Sequence, residues 1–369
     1  MGKKKNTWKG WSIKPILKYK AIYNIVFGER SNGKTYGTQE EFIRDYYQNG
    51  RAMALIRRFD EDFIGKRGSS MFAPLVKNGE IEAITEGKYN SVKYKASRWY
   101  LMNTYTDENG KEITELDSEP FCWGFSLSGM EHDKSTTYPT IKNIMFDEFI
   151  TRGYYLNDEF ILFMNVLSTI IRNKQDCRIF MLGNTVNKYC PYFNEMGLKH
   201  IKEMKQGTID YYEIPSAGTT IAVEYCANTS KSTNANKYFA FDNKKLEMIT
   251  KGAWEIDIYP HCPCKYKKSD ILFTYFIEFD NDLLQCEIVQ KDNYYFTFIH
   301  RKTTPLKDTD TDLIFTRTHD PRPNYRRRIT KPRTEIEKKI AEFYIRDKVF
   351  YQDNEIGEVV RNYLQWCAS

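Results

Sequence analysis

An α/β fold, built on a mostly parallel sheet flanked by helices and followed by a smaller β-rich α+β domain, is what this sequence predicts. Three observations carry the prediction. Short, almost wholly apolar segments alternate with helical ones through the first half of the chain, the first of them runs into a glycine-rich loop, and beyond about residue 215 the composition changes. Strands that are apolar throughout belong to sheets covered on both faces. With 369 residues, 41% of them hydrophobic, the chain has enough apolar material for two cores.

Residues 21–27 (AIYNIVF) read as a buried strand, and residues 35–47 as a helix with Phe42, Ile43, Tyr46 and Tyr47 on its apolar side. Residues 51–56 (RAMALI) form the next strand, ending at Arg57 and Arg58. Between 79 and 127, polar and apolar positions alternate, and turn signals at Glu86-Gly87 and Glu108-Asn109-Gly110 predict hairpins there. Residues 141–146 are a further buried strand, 158–171 a helix, and 178–182 (RIFML) a strand ending at Gly183-Asn184. Residues 216–238, rich in Ser, Thr, Ala and Asn, read as a linker, residues 252–316 as β-rich, and residues 334–366 as helical. The domains expected are therefore 1–215, a linker at 216–252, and 253–369.

The eight residues Gly28, Glu29, Arg30, Ser31, Asn32, Gly33, Lys34 and Thr35 match G-x-x-x-x-G-K-[ST] at every fixed position. Between a strand and a helix, such a loop points successive backbone N–H groups at phosphate oxygens, and the helix adds the positive end of its dipole. Lys34 then neutralises the β- and γ-phosphates of a nucleotide, and the Thr35 hydroxyl ligates Mg2+. At the end of the 141–146 strand stand Asp147 and Glu148, where open α/β sheets bind ligands. Asp147 is expected on the metal and Glu148 as the base that orients and deprotonates water. The combination predicts ATP hydrolysis. Asn184 reads either as a sensor of the γ-phosphate or as a turn residue. Arg172 reads either as a finger reaching a neighbouring subunit's γ-phosphate or as a cap on its own helix.

The net charge is +6. Residues 1–20 carry seven lysines and no acid, and residues 317–339 carry nine Lys/Arg against Asp320, Glu335 and Glu337. Such segments suit a polyanionic partner. No run of about 18 apolar residues marks a membrane span, and the N-terminus lacks the pattern of a signal peptide, so a cytoplasmic location is expected. Eight cysteines show no paired C-x-x-C spacing, and His261, Cys262 and Cys264 lack further nearby ligands, so reduced structural thiols are expected.

Taken in order, several features resemble the DNA-packaging ATPase of phi-29-like tailed bacteriophages: the loop ending Gly33-Lys34-Thr35, Ile56-Arg57-Arg58, Lys134-Ser135 with Tyr138-Pro139, Phe146 through Ile150, Arg172-Asn173, and Asn184 with Pro191-Tyr192-Phe193. The resemblance covers roughly residues 15–215. It implies a P-loop motor of the ASCE class, assembled as a homomeric, pentameric ring at the capsid portal and driving double-stranded DNA inward, with a packaging RNA among its contacts. It places the protein in the cytoplasm of the infected host. It also implies that Arg172 acts in trans, that Lys134 is a second trans cation, and that Arg30 is the basic residue early in the phosphate loop. A degenerate RNase H-type nuclease domain without nuclease activity is implied at the C-terminus, where Asp257, Asp280 and Asp282 are the carboxylates to check. Where the resemblance leads one to expect a basic residue soon after Arg58, this chain has Asp60. DNA-gripping loops are expected at residues 63–70, through Lys66 and Arg67, and at residues 107–111. A nucleic-acid-stimulated ATPase or helicase unrelated to packaging is the alternative.

Overall fold

The computed structural model describes residues 10–30, 32–129, 136–151, 155–184, 190–215, 217–227 and 259–368. The chain divides into two compact units, Met1–Thr151 with Asp158–Val186 and His200–Ala253, and Arg152–Asn157 with Asn187–Lys199 and Trp254–Ser369.

The first unit is built on one sheet. Its strands are β1 (Tyr23–Gly28), β2 (Ala52–Arg57), β3 (Ser91–Lys95), β4 (Arg98–Thr106), β5 (Glu112–Leu116), β6 (Cys122–Ser126), β7 (Ile141–Asp147), β8 (Arg178–Asn184), β9 (Thr208–Ile214) and β10 (Thr219–Tyr225). Their order is β3-β4-β6-β2-β7-β8-β1-β10-β9, with β5 on β4. The six strands from β6 to β10 in that order run parallel, while β3, β4, β5 and β9 are antiparallel additions at the two edges. The apolar runs explain the arrangement, since β1, β2, β7 and β8 are buried along nearly their whole length. β8 lies between the strand of the glycine-rich loop and the strand of the acidic pair, as the ASCE class requires.

The helices of this unit are α1 (Lys14–Leu17), α2 (Lys34–Asn49), α3 (Gly65–Ser70), α4 (Ala73–Lys77), α5 (Glu80–Ile84) and α6 (Glu159–Ile171). α2 buries Phe42 and Ile43, and Phe42 meets Phe180 of β8 edge to face at 5.5 Å. Each such side chain contributes about 1.5–3 kcal/mol of burial. The predicted turn at 108–110 joins β4 to β5. Glu86-Gly87 does not make a hairpin. It follows α5, and the β3–β4 turn falls instead at Ala96-Ser97, both with positive φ. Residues 63–70, expected as a loop, are mostly helix α3, and Trp99 fixes them by donating its indole N–H to the Gly68 carbonyl at 2.9 Å. The expected linker also begins too early, because residues 219–225 are strand β10, paired in parallel with β1. Composition misled there, for Thr and Val suit strands as well as they suit loops.

In the second unit the strands are β11 (Ile271–Phe279), β12 (Asp282–Lys291), β13 (Tyr294–Arg301), β14 (Ile314–Thr316), β15 (Tyr325–Arg326) and β16 (Val349–Tyr351). They are ordered β15-β14-β11-β12-β13-β16. An antiparallel β11-β12-β13 meander is extended in parallel by β14 and β15 on the β11 side and by β16 on the β13 side. Helices α7 (Pro191–Glu195), α8 (Glu335–Ile345) and α9 (Asn354–Ala368) complete this unit. Asp280 lies 3.8 Å from Arg317 and Asp282 pairs with Arg301, while Asp257 lies outside the described residues. All eight cysteines are free. Among the described residues, no group of three or more His, Cys, Asp or Glu is placed to hold a metal.

Candidate active site

β1 delivers its loop at the C-terminal edge of the parallel strands. Gly28 is required there because a Cβ would sit 2.9 Å from that of Cys226, just beyond β10. Gly33 caps α2 with φ 91°, a conformation glycine adopts without strain. Lys34 therefore opens the helix, and Thr35 follows at the mouth of a cavity of about 390 Å3 that also takes in Asp147, Glu148 and Asn184. Loop, acidic pair and strand-end asparagine, separated by up to 150 residues in sequence, thus meet in one place.

The Lys34 ammonium is buried and donates to the Glu29 carbonyl at 2.7 Å, to Asn32 Oδ1 at 3.1 Å and to Asn184 Oδ1 at 3.3 Å. Burial lowers its pKa, and the neighbouring negative groups oppose that shift. Thr35 donates its hydroxyl to Asp147 Oδ1 at 3.1 Å. Two hard oxygen donors, one of them a carboxylate, at that separation form a donor set that fits Mg2+. Burial raises the Asp147 pKa, with Arg57 the main opposing influence.

Sequence reasoning missed what Arg57 does. At the end of β2 it lies 3.2 Å from Asp147 Oδ2 and 2.8 Å from Glu148 Oε2, so one guanidinium bridges both carboxylates. The parallel pairing of β2 with β7 brings it there, and the only sequence signal was a basic pair at a strand end. The Glu148 side chain is 63% exposed. Trp11 was missed as well. Its backbone N–H donates to the Asn32 carbonyl at 2.8 Å and its indole N–H to Glu224 Oε1 at 2.8 Å, tying the N-terminal segment to the phosphate loop and to β10.

Other expected site residues are placed as follows. Glu29 and Asn32 are buried and Arg30 is exposed. Arg172 is exposed at the C-terminal end of α6, where its backbone N–H donates to the Ser168 carbonyl at 3.1 Å, so its backbone does close the helix. Lys66 and Arg67 are exposed on α3, outside the cavity. Ser31 and Lys134 lie outside the described residues. In the second unit Arg326, Arg327, Arg328, Lys331 and Arg333 line a separate cavity of about 510 Å3.

A phosphate loop on one parallel strand, an acidic pair two strands away and a polar strand end between them define a P-loop NTPase fold of the ASCE class. Comparison with known proteins narrows this. The chain belongs to the podovirus DNA encapsidation protein (Gp16) family, whose model matches residues 10–217. The DNA packaging protein of Bacillus phage B103 is 25% identical over 186 residues, 50% of each chain. That of Bacillus phage phi29 is 26% identical over 181 residues, 48% of this chain and 47% of the other. This chain thus spans about half the length of the curated relatives it matches. Two solved structures share the fold over almost the whole chain at 18% identity. The bacteriophage Phi-29 viral genome packaging motor assembly has a TM-score of 0.60, covering 96% of this chain and 98% of the other. The Phi-28 gp11 DNA packaging motor has a TM-score of 0.55, covering 98% and 97%.

Proposed function

We propose that this protein hydrolyses ATP and uses the energy to drive double-stranded DNA into a viral procapsid, as one subunit of a homomeric ring at the portal. The observation that carries the reading is the convergence of Lys34, Thr35, Asp147, Glu148 and Asn184 on one cavity at the C-terminal edge of the parallel sheet. Membership of the encapsidation family and relatives named as DNA packaging proteins support the choice of substrate.

The phosphates of ATP would occupy the loop 28–35, with Lys34 exchanging its contacts to Asn32 and Asn184 for phosphate oxygens. Thr35 and Asp147 would hold Mg2+, which when bound would neutralise developing phosphate charge. Glu148 accepts a proton from the attacking water, and must first part from Arg57. Asn184, at hydrogen-bond distance from Lys34, would read the γ-phosphate. Arg172 of a neighbouring subunit would supply the finger and Lys134 a second trans cation. Lys66 and Arg67 would meet DNA from α3, and the basic cavity of the second unit would meet a nucleic-acid backbone, whether DNA or a packaging RNA. A motor domain that runs on through β10, past the expected limit at residue 215, and a ring of five belong to the same reading.

Steady-state phosphate release with and without double-stranded DNA tests it. DNA-stimulated turnover is expected, with Glu148→Gln retaining ATP binding while turnover falls about 10²–10⁴-fold, the usual contribution of a general base. Undiminished turnover in that variant would remove Glu148 from its role, and strand separation on a forked duplex would favour a helicase.

A further inference from the structure

Glu148 is not glycine, yet its φ is 63°. The left-handed region is disfavoured for a side chain of this kind, so the surroundings must impose it. Two interactions do so. The Phe149 N–H donates to the Leu182 carbonyl on β8 at 3.2 Å. On the other side Arg58 donates to two successive carbonyls, from Nη1 to Glu148 at 3.2 Å and from Nη2 to Phe149 at 2.9 Å.

Arg58 is itself held. Both carboxylate oxygens of Glu159, in the first turn of α6, receive its guanidinium, Nε at 2.7 Å and Nη2 at 2.8 Å. Arg58 is 6% and Glu159 3% exposed. A buried pair of this kind is a weak source of stability, because desolvation offsets the attraction. Its distinctive property is geometric: a planar fork fixed on one edge by a carboxylate presents its other donors in set directions. Here those directions lead to the peptide units that aim the Glu148 side chain. Neither Arg58 nor Glu159 lines the cavity itself.

We propose that Arg58 and Glu159 are positioning residues, which fix the backbone turn at Glu148 so that its carboxylate meets the attacking water. The proposal rests on the reading of Glu148 as the base. It separates Arg58 from Arg57: one holds the backbone of Glu148, the other its side chain.

The test is the double variant R58M/E159L, which removes both charges together and leaves neither buried alone. Melting temperature, affinity for a fluorescent ATP analogue, KM and kcat are measured on the full chain, beside Glu148→Gln. The expected result is a folded protein, analogue affinity and KM within about threefold of wild type, and kcat lowered about 100-fold, the scale of a misplaced catalytic group. Wild-type kcat in the folded double variant overturns the proposal. Should that variant fail to fold, R58K decides. It keeps the buried charge pair but has no fork, so a tenfold or greater loss of kcat at unchanged KM supports positioning, and full turnover overturns it. Full turnover in Glu148→Gln would instead strike at the assignment of the base, a result distinct from either.

Discussion

Glu224→Gln tests the most unusual carboxylate near the phosphate loop. Glu224 lies on β10, accepts the Trp11 indole N–H at 2.8 Å, and has its other oxygen buried with no hydrogen-bond partner. Burial pushes its pKa from the ordinary 4.5 up to about 7, against the opposing pull of Trp11 and Lys34. Folding therefore favours the protonated acid. Its contribution to stability is fully present below about pH 4.5 and is lost as pH rises through about 7. Above pH 8 the loss approaches about 3 kcal/mol, at about 1.4 kcal/mol per pH unit between the two values. The figure is a ceiling, because removing the carboxylate also takes a neighbouring negative charge from Lys34. Gln keeps an oxygen for the Trp11 indole and does not titrate. The gap between variant and wild type should be smallest near pH 5 and widen with pH, leaving the variant several degrees higher at pH 8.5, at ~2–4 °C per kcal/mol for a unit of this size. Thermal melts of both proteins across pH 5–8.5 give the difference directly. A gap that stays flat with pH would refute the reasoning, and one of opposite sign would show that attraction to Lys34 outweighs burial.

Arg57→Ala removes the cation that bridges Asp147 and Glu148. The Mg2+ concentration giving half-maximal binding of an ATP analogue should fall severalfold, since a near-surface charge contact is on the order of 1–4 kcal/mol. An unchanged Mg2+ requirement in equilibrium titrations would show that Arg57 and the metal do not compete. Mixing Arg172→Ala subunits with Glu148→Gln subunits should restore part of the lost turnover if the arginine acts across a subunit boundary. No restoration at any mixing ratio would leave Arg172 with the helix-closing role its backbone already has.

What the sequence revealed and what it hid follow from how local each interaction is. The phosphate loop was legible because strand, loop and helix are consecutive, and each residue type is dictated by its immediate neighbours. Asp147 and Asn184 were legible as ends of apolar strands, which a parallel sheet gathers on one edge. Arg57 was not, because its role depends on β2 lying beside β7. Nor was the Trp11–Glu224 bond, whose partners are 213 residues apart. Residues 63–70 looked like a loop because Gly65, Gly68, Ser69 and Ser70 are poor helix formers, and the contact from Trp99 overrides that tendency. β10 was hidden by a composition that suits a linker. The second unit's sheet was legible only as β-rich, since strand order is set by pairings that no local pattern encodes.

The position of β10 bears on how the protein can be divided. A fragment ended at residue 215 would leave β1 with one neighbour instead of two, turning the strand that carries the phosphate loop into a sheet edge with unpaired N–H and C=O groups. It would also remove Cys226, whose N–H bonds the Phe27 carbonyl at 2.9 Å, and strip Trp11 of its partner Glu224. The structural floor of the phosphate-loop cavity is therefore laid by the part of the chain that follows the motifs, and a fragment meant to isolate the first unit has to extend past Cys226 to keep it.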